Sequence, residues 1–530
     1  MKKIKENFVN LICPAFTFGA ITGMITAAIV LLYKLIAKHL ISFSQSAYGF
    51  LREKLYFIPL ILLAFWGVAW VFSYVYKKHP RVRGGGIPSS IALLRNIVTF
   101  KWLRTLIGVF FMSLTSFLIG VPLGQEGPSV LMGTAVGKGS VNLISRKRSA
   151  WSGYAMTGGA CAGFAVATGA SASGVLFAIE EAHQKISPMI LIFATISVLF
   201  AQIVSHVFSP LLGLSVALFP NMNVVSLSVK DVWIPLVLGV VVGLFAVVFL
   251  KYYHVISGFF TVKLKKVPHH VKIFVVFVLT LAFGLVSFSF VSTGHELFPI
   301  LQDENVAIYG LIVLLLVRMS LTLCANANKL TGGVFIPFIM LGAILAAIVG
   351  RCVESVFNLD GYYTAILALG MAACISSMMK MPLTAIIFSL EALGLVNNIL
   401  YVVIVVAVSY ITTEIFGVKG INDSIINNLI KAQEETHERK TIDTHIVIKK
   451  GSFAEHKHVR DILWPANFIL LSIIPSKTRK PQTDRQMEKT LHEGDLLHIR
   501  YSTFSDEQTK AELVAIVGEQ DFLEVVVEGD

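Results

Sequence analysis

The segment GQEGPSV, residues 124–130, places one carboxylate between two apolar runs, and Glu126 is the only acidic residue from position 54 to position 179. A charged side chain at bilayer depth costs about 2.5–3.5 kcal/mol on insertion scales, so such residues are rare unless they have a task. The neighbours suggest the task. Glycine lets the main chain approach a ligand closely, and proline near the first helical turn starts a helix without losing a hydrogen bond. A helix N-terminus offers unpaired N–H groups and the positive end of a dipole, which together favour an anion. A carboxylate beside those N–H groups competes with the anion: ionised it takes the anion's place, protonated it lets go.

The same Gly-x-x-x-Pro chemistry recurs at GGGIP (84–88) and GVFIP (333–337). No Lys or Arg lies inside these elements; Arg83 precedes the first. A fixed cation would hold an anion tightly, whereas partial charges from several helix ends replace lost hydration and leave the ion mobile. IEEAH, residues 179–183, adds a second carboxylate candidate. Adjacent residues on a helix point about 100° apart, so of Glu180 and Glu181 one is expected to face the interior and pass protons, the other solvent or a partner subunit. His206, in the next apolar run, reads as a satisfied interior histidine.

These residues need a membrane-spanning frame, and the composition supplies one. The chain has 530 residues, 55% hydrophobic and 14% charged, against about 25% charged in soluble domains. Apolar runs of spanning length include 8–33, 57–76, 105–121, 188–208, 233–250, 271–291 and 305–324. The first exceeds signal-peptide length and is expected to stay as a helix. The formal charge of +12 comes largely from clusters at the ends of such runs, KKHPRVR (77–83), RKR (146–148) and KLKKVPHHVK (263–272). That is the positive-inside pattern rather than a basic stripe for nucleic acid. The five cysteines, at 13, 161, 324, 352 and 374, sit in apolar segments without CxxC spacing and read as packing residues.

An internal repeat organises the frame. GACAGFAVATGASASGVLFAIE (159–180) and GMAACISSMMKMPLTAIIFSLE (370–391) share a 22-residue frame with a Phe three residues before the final Glu. GQEGP precedes the first by 35 residues and GVFIP precedes the second by 37. Secondary transporters are often built from such repeats, with broken helices in corresponding positions marking the substrate site. Backbone that leaves helical geometry at membrane depth survives only inside the protein or along a watery cavity, so the breaks belong in the interior.

GGGIP, GQEGP and GVFIP resemble, in order and separation, the anion-site elements Gly-Ser-Gly-Ile-Pro, Gly-Arg-Glu-Gly-Pro and Gly-x-Phe-x-Pro of the CLC family of chloride channels and proton-coupled chloride transporters. The resemblance covers about residues 10–425. It implies an all-α polytopic membrane domain of tilted and broken helices in two inverted-topology halves (roughly 8–220 and 230–420), assembled as a homodimer with one anion path per subunit. By the same resemblance Glu126 is the external gating glutamate, and Glu181, 55 residues on, the internal proton-transfer glutamate. Gly85, Gly86, Ile87, Gln125, Gly127, Gly333, Val334, Phe335, Ile336 and Asn422 would then line the anion site. Both glutamates together favour proton-coupled chloride exchange. Three positions depart from the family pattern: Gly85 replaces a serine, Gln125 an arginine, and GIND (420–423) puts Asn422 or Asp423 where a central tyrosine is expected. Fluoride exporters of the family carry different anion-site elements, so chloride is the expected cargo.

After residue 417 the chain turns polar. A linker is expected at 426–443 and a small α/β domain at 444–530, with strands near 445–449, 468–474, 496–501 and 523–528 and helices near 457–463 and 505–517. The domain resembles the C-terminal subdomain of potassium-uptake regulators, the RCK_C type, implying a cytoplasmic regulatory domain that dimerises or binds a small ligand. The expected setting is a bacterial cell membrane with both termini cytoplasmic. The chief competing function is a passive voltage- or pH-gated chloride channel of the same fold. A potassium permease lacks its Thr-Val-Gly-Tyr-Gly type filter loop here. An enzyme would need an HExxH, a Walker A loop or a nucleophile–His–Asp set, and none stands in the sequence; no cofactor or metal site is expected.

Overall fold

The computed structural model describes residues 12–144, 146–219, 222, 224–302, 306–357, 361–434, 440–465, 467–476, 480–482, 486–520 and 522–527. The start of the first apolar run, residues 8–11, lies outside them. The first half runs through α1 (Cys13–Glu53), α2 (Ile58–Lys78), α3 (Ile87–Leu94), α4 (Trp102–Ile119), α5 (Glu126–Ile144), α6 (Ser152–Thr168), α7 (Ser171–Phe177) and α8 (Pro188–Leu211). A π-helical turn over Ala178–His183 extends α7. The second half runs through α9 (Trp233–Gly258), α10 (His269–Val286), α11 (Leu297–Gln302), α12 (Ile308–Ala327), α13 (Phe335–Phe357), α14 (Tyr363–Met379), α15 (Pro382–Ala392), α16 (Ile399–Ile415) and α17 (Ile421–Glu434). Among the described residues nine helical stretches are long and apolar enough to cross a membrane.

The centre of the molecule is the pair α6 and α14, equivalent helices of the repeat, each of 17 residues and almost wholly buried. At 1.5 Å per residue each spans about 26 Å, short of a 30 Å hydrocarbon core. Small residues let neighbours approach them closely. A Cβ on Gly159 would run into the Gly133 carbonyl, and one on Gly370 would stand 2.7 Å from the Gly342 carbonyl. The α5·α6 contact of the first half thus recurs as α13·α14 in the second.

The first helix is longer than its apolar run, 41 residues to Glu53. Beyond residue 33 the sequence is mixed, yet one face stays buried: the Tyr48 hydroxyl donates to the Ile119 carbonyl at 2.8 Å. The expected linker begins as helix, because α17 continues to Glu434; β1 then opens at Lys440.

The tail forms a four-stranded antiparallel sheet in the order β2-β3-β1-β4, with β1 Lys440–Val447, β2 Phe468–Ile474, β3 Leu496–Thr503 and β4 Leu523–Val527. Helix α18 (Asp506–Val517) buries Leu513, Ile516 and Val517 against Ile442, Ile446 and Ile499. Strand β1 starts five residues before its expected position at 445, since Thr441 and Asp443 alternate with buried Ile442 and Thr444. The helix expected at 457–463 is only a 3-10 turn, Val459–Asp461. That loop docks the tail: Tyr154 of α6 donates to the Asp461 carbonyl at 2.6 Å and accepts from the Leu463 N–H at 2.9 Å. Phe453 packs edge-on against Trp151 with ring centroids 4.9 Å apart.

Candidate functional site

The three Gly-x-x-x-Pro elements, up to 253 positions apart in sequence, meet in the interior, and each opens a helix. Gly86, at φ 79°, precedes α3, which begins at Ile87; α5 begins at Glu126 and α13 at Phe335. Gly124 and Gly333 form a reciprocal main-chain bridge, N–H to carbonyl both ways at 2.6 and 2.7 Å. The first element joins through Gly84 N–H to the Lys329 carbonyl at 2.9 Å and Gly332 N–H to the Gly84 carbonyl at 3.3 Å. A Cβ on Gly127 would overlap the Gly85 carbonyl and lie 2.8 Å from Gly333 Cα, so a side chain there would force the elements apart. Thr331 fixes the join, accepting from Tyr76 Oη or donating to it at 2.7 Å while its own carbonyl receives the Ser116 hydroxyl at 2.9 Å. Val334, Phe335 and Ile336 are buried, and Gln125 is half-buried just ahead of α5.

Glu126 sits in this junction with 1% of its surface exposed. Among the described residues neither of its carboxylate oxygens has a hydrogen-bond partner. The main-chain N–H groups of Gln125, Glu126 and Ile336 lie close enough to stabilise negative charge on it. A carboxylate so placed is held by fields rather than by bonds, and an anion of similar charge suits the same place. Toward the end of the molecule away from the tail it meets His295, whose Nε2 is 3.9 Å from Oε1. Lys34 of α1 also acts on it through space, its ammonium bonded to the Val166 carbonyl at 3.1 Å.

The two adjacent glutamates divide as their 100° separation requires, and Glu180, half-buried, is bonded across to the other half of the chain. Its carboxylate accepts from Leu383 N–H (2.8 Å), Thr384 N–H (2.6 Å) and the Thr384 hydroxyl (2.6 Å), capping α15. Glu391, its repeat equivalent, caps α7 in return through Ala172 N–H (2.7 Å), Ser173 N–H (2.9 Å) and the Ser173 hydroxyl (2.8 Å). Glu181 is buried and accepts from the Asn422 amide at 2.9 Å. Arg95, past the end of α3, donates to the Glu181 and Ala182 carbonyls at 2.7 and 2.9 Å. These bonds satisfy main-chain acceptors at the end of the segment and fix the direction of Glu181.

The structure brings together Gly85, Gly86, Ile87, Gln125, Glu126, Gly127, Gly333, Val334, Phe335 and Ile336 as one junction, and joins Asn422 to Glu181 as a second. Asn422, and not Asp423, points inward; its amide nitrogen is committed to Glu181 and its Oδ1 has no partner. His206 corrects an expectation. It is exposed on α8, with Nδ1 bonded to the Gln202 carbonyl at 2.9 Å, because the buried face of that helix runs through Ala201, Ser205 and Ser209. Of the cysteines, Cys161 and Cys374 are buried, Cys324 is half-buried, and Cys13 and Cys352 are exposed. Sequence reasoning missed His295, Lys34 and Arg95. Lys34, just past a long apolar run, was the one visible signal.

Residues 60–414 match the family described as voltage gated chloride channel. An H(+)/Cl(-) exchange transporter, ClcA, of Vibrio parahaemolyticus serotype O3:K6 (strain RIMD 2210633) is 26% identical over 375 residues, 70% of this chain and 79% of that protein. The crystal structure of a slow cyanobacterial Cl-/H+ antiporter aligns with a TM-score of 0.69 at 20% identity, covering 79% of this chain and 99% of its own. That of a CLC-type fluoride/proton antiporter aligns with a TM-score of 0.62 at 19% identity, covering 76% and 96%. The junction of three helix-starting breaks around a buried glutamate therefore sits in a multi-pass membrane protein of known architecture, and the chain belongs to the voltage-gated chloride channel (CLC) family.

Proposed function

We propose that the chain exchanges chloride for protons across a membrane. The observation that carries this reading is the burial of Glu126, without a bonded partner, among main-chain N–H groups at the junction of the breaks. Chloride, the cargo, occupies the cradle that the ionised carboxylate otherwise fills; protonation releases the carboxylate and admits the ion. Gly85, Gly86, Ile87, Gln125, Gly127, Gly333, Val334, Phe335 and Ile336 contribute main-chain dipoles, and Glu181 passes the proton on the tail side. The named activity of the Vibrio relative supports this reading. The test is chloride-driven proton uptake into liposomes holding the purified protein. Uphill proton movement supports exchange; chloride flux without proton movement rejects it.

One observation favours the second reading, a passive channel. Asn422 stands at the start of α17 where the family has a tyrosine, and its amide is turned to Glu181. Asn422 is thereby a ligand of the proton-transfer glutamate rather than a side chain free to line the anion path. The liposome experiment decides between the two.

The wider assembly follows the same resemblance: a homodimer with one path per subunit, and residues 444–530 as an RCK_C-like regulatory domain for a small ligand. The proposed setting is a bacterial cell membrane with the tail and both termini cytoplasmic, and the basic ends of the apolar runs support that orientation. No cofactor or catalytic residue enters this scheme.

A further inference from the structure

Glu126 must trade protons with the side of the membrane away from the tail, and its own carboxylate is sealed from it. Helix α5 leads from Glu126 to Ile144, next to the turn that carries Trp151 and the docked tail, so its N-terminal end faces the opposite side. On that side the loop between α10 and α11 brings in His295. The imidazole is 25% exposed and the carboxylate 1%, with Nε2 and Oε1 3.9 Å apart. That is about 1 Å beyond a hydrogen bond, a gap that one side-chain rotation closes. His295 thus touches the surface with one edge and faces the buried acid with the other.

The loop is not placed by chance. The buried guanidinium of Arg318 on α12 donates to the Ser289, Val291 and Ser292 carbonyls at 2.8, 2.8 and 3.0 Å. Ser292 N–H closes on the Gly120 carbonyl at 2.7 Å, just before the glycine-proline element of Glu126. Gly294, at φ 105°, turns the chain so that His295 follows, and Phe219 lies beside the imidazole with ring centroids 6.1 Å apart. The charged groups that face His295 are Glu126 of α5, Glu296 of its own loop, Lys34 of α1 and Arg318 of α12. Burial holds the His295 imidazole below its ordinary value, so it carries a second proton only in passing, as a relay does.

We propose that His295 is the proton-entry relay of Glu126. The imidazolium N–H bond at Nε2 breaks and an O–H bond forms at Oε1, which neutralises the carboxylate and frees it from the main-chain cradle. The neutral imidazole, left with its proton on Nδ1, rotates so that the bare Nε2 reaches the surface, takes a proton there from hydronium and rotates back; return of the proton from Glu126 reverses these steps.

This inference rests on Glu126 acting as the proton-carrying gate. The experiment measures chloride-driven proton uptake and chloride flux in liposomes against external pH for the wild type, His295→Gln, His295→Ala and Glu126→Gln. The expected result for His295→Gln is proton uptake and chloride flux that fall together, at least tenfold at external pH 7, while adding Glu126→Gln, which removes the gate, restores chloride flux to the level of Glu126→Gln alone. External imidazole should restore part of the proton uptake of His295→Ala. Wild-type pH profiles in both histidine variants, with Glu126→Gln uncoupled, would overturn the relay and leave the gate standing. Chloride flux lost in His295→Gln and still lost when Glu126→Gln is added would make His295 a structural residue and also overturn it. Proton uptake persisting in Glu126→Gln would sink the gate and the relay together.

Discussion

At the residue scale the protein separates two kinds of carboxylate. Glu180 and Glu391 each accept from two N–H groups and one hydroxyl and so cap a helix of the other half. Glu126 has no bonded partner and Glu181 has the Asn422 amide, so their charge is free to change. Replacing Asn422 by leucine removes the one side-chain donor to Glu181, and an unmatched buried carboxylate loses about 1–3 kcal/mol of support for its ionised form. The expected outcome is a several-fold fall in protons moved per chloride at neutral pH, read from reversal potentials of liposome exchange, with chloride flux kept. Asn422→Asp, which sets a second acid against Glu181, should lower that ratio further. An unchanged ratio in both variants would remove Asn422 from the proton path. Glu126 was legible in the sequence because a lone carboxylate among glycines and apolar residues is costly and conspicuous. His295 was not, since 169 positions separate it from Glu126 and nothing local in a polar loop announces a distant partner.

At the element scale the repeat is more than a likeness of letters. The final Glu of each 22-residue frame crosses to the other half and caps the helix there, Glu180 on α15 and Glu391 on α7. Reciprocal caps, with the mutual Gly124–Gly333 bridge, are what a two-fold relation between inverted halves produces. Removing the acceptor that caps a helix N-terminus costs about 0.5–2 kcal/mol. Glu180→Ala and Glu391→Ala are therefore each expected to lower the thermal midpoint of the solubilised protein by a few degrees. Proton coupling should survive in the folded fraction; lost coupling with an unchanged midpoint would give these residues a transport role instead. The repeat itself was readable from spacing, while its caps were not, because a pair 203 positions apart leaves no periodic trace. Boundaries failed where packing overrode composition. Helix α1 passes beyond its apolar run because Ser44 and Tyr48 stay buried. The 457–463 stretch stops at a single turn because its carbonyls and amides are used to dock the tail on Tyr154.

At the scale of the whole molecule, the tail rests on the segment that leads to Glu181. Lys185, four residues on, reaches the Ile462 carbonyl at 3.5 Å, while Lys457 lies 3.8 Å from the Phe453 ring centroid and 5.6 Å from that of Trp151. Burial lowers the Lys457 ammonium to about 8 from its ordinary 10.5. Because the unfolded chain keeps that proton up to the ordinary value, it binds more protons between the two, and stability should rise with pH from about 8 to about 10.5. In Lys457→Met that rise should vanish, so the difference in thermal midpoint between wild type and variant is expected to change across this window. A constant difference would mean that Lys457 is solvated where the tail docks. The tail's strands were legible as alternating segments, but its seat against α6 was not, since Trp151 and Tyr154 look like ordinary apolar residues in the sequence.

The central claim is that main-chain amides at three helix starts cradle a halide, with the Glu126 carboxylate as its rival for the same place. Anomalous diffraction from bromide-soaked crystals of the wild type and of Glu126→Gln tests it directly. The account predicts bromide at the junction of residues 84–88, 124–128 and 333–337, contacted by N–H groups and by no Lys or Arg side chain, with an added peak in the variant where the wild-type carboxylate lies. Bromide absent from that junction in both crystals, or held there by a basic side chain, would contradict it.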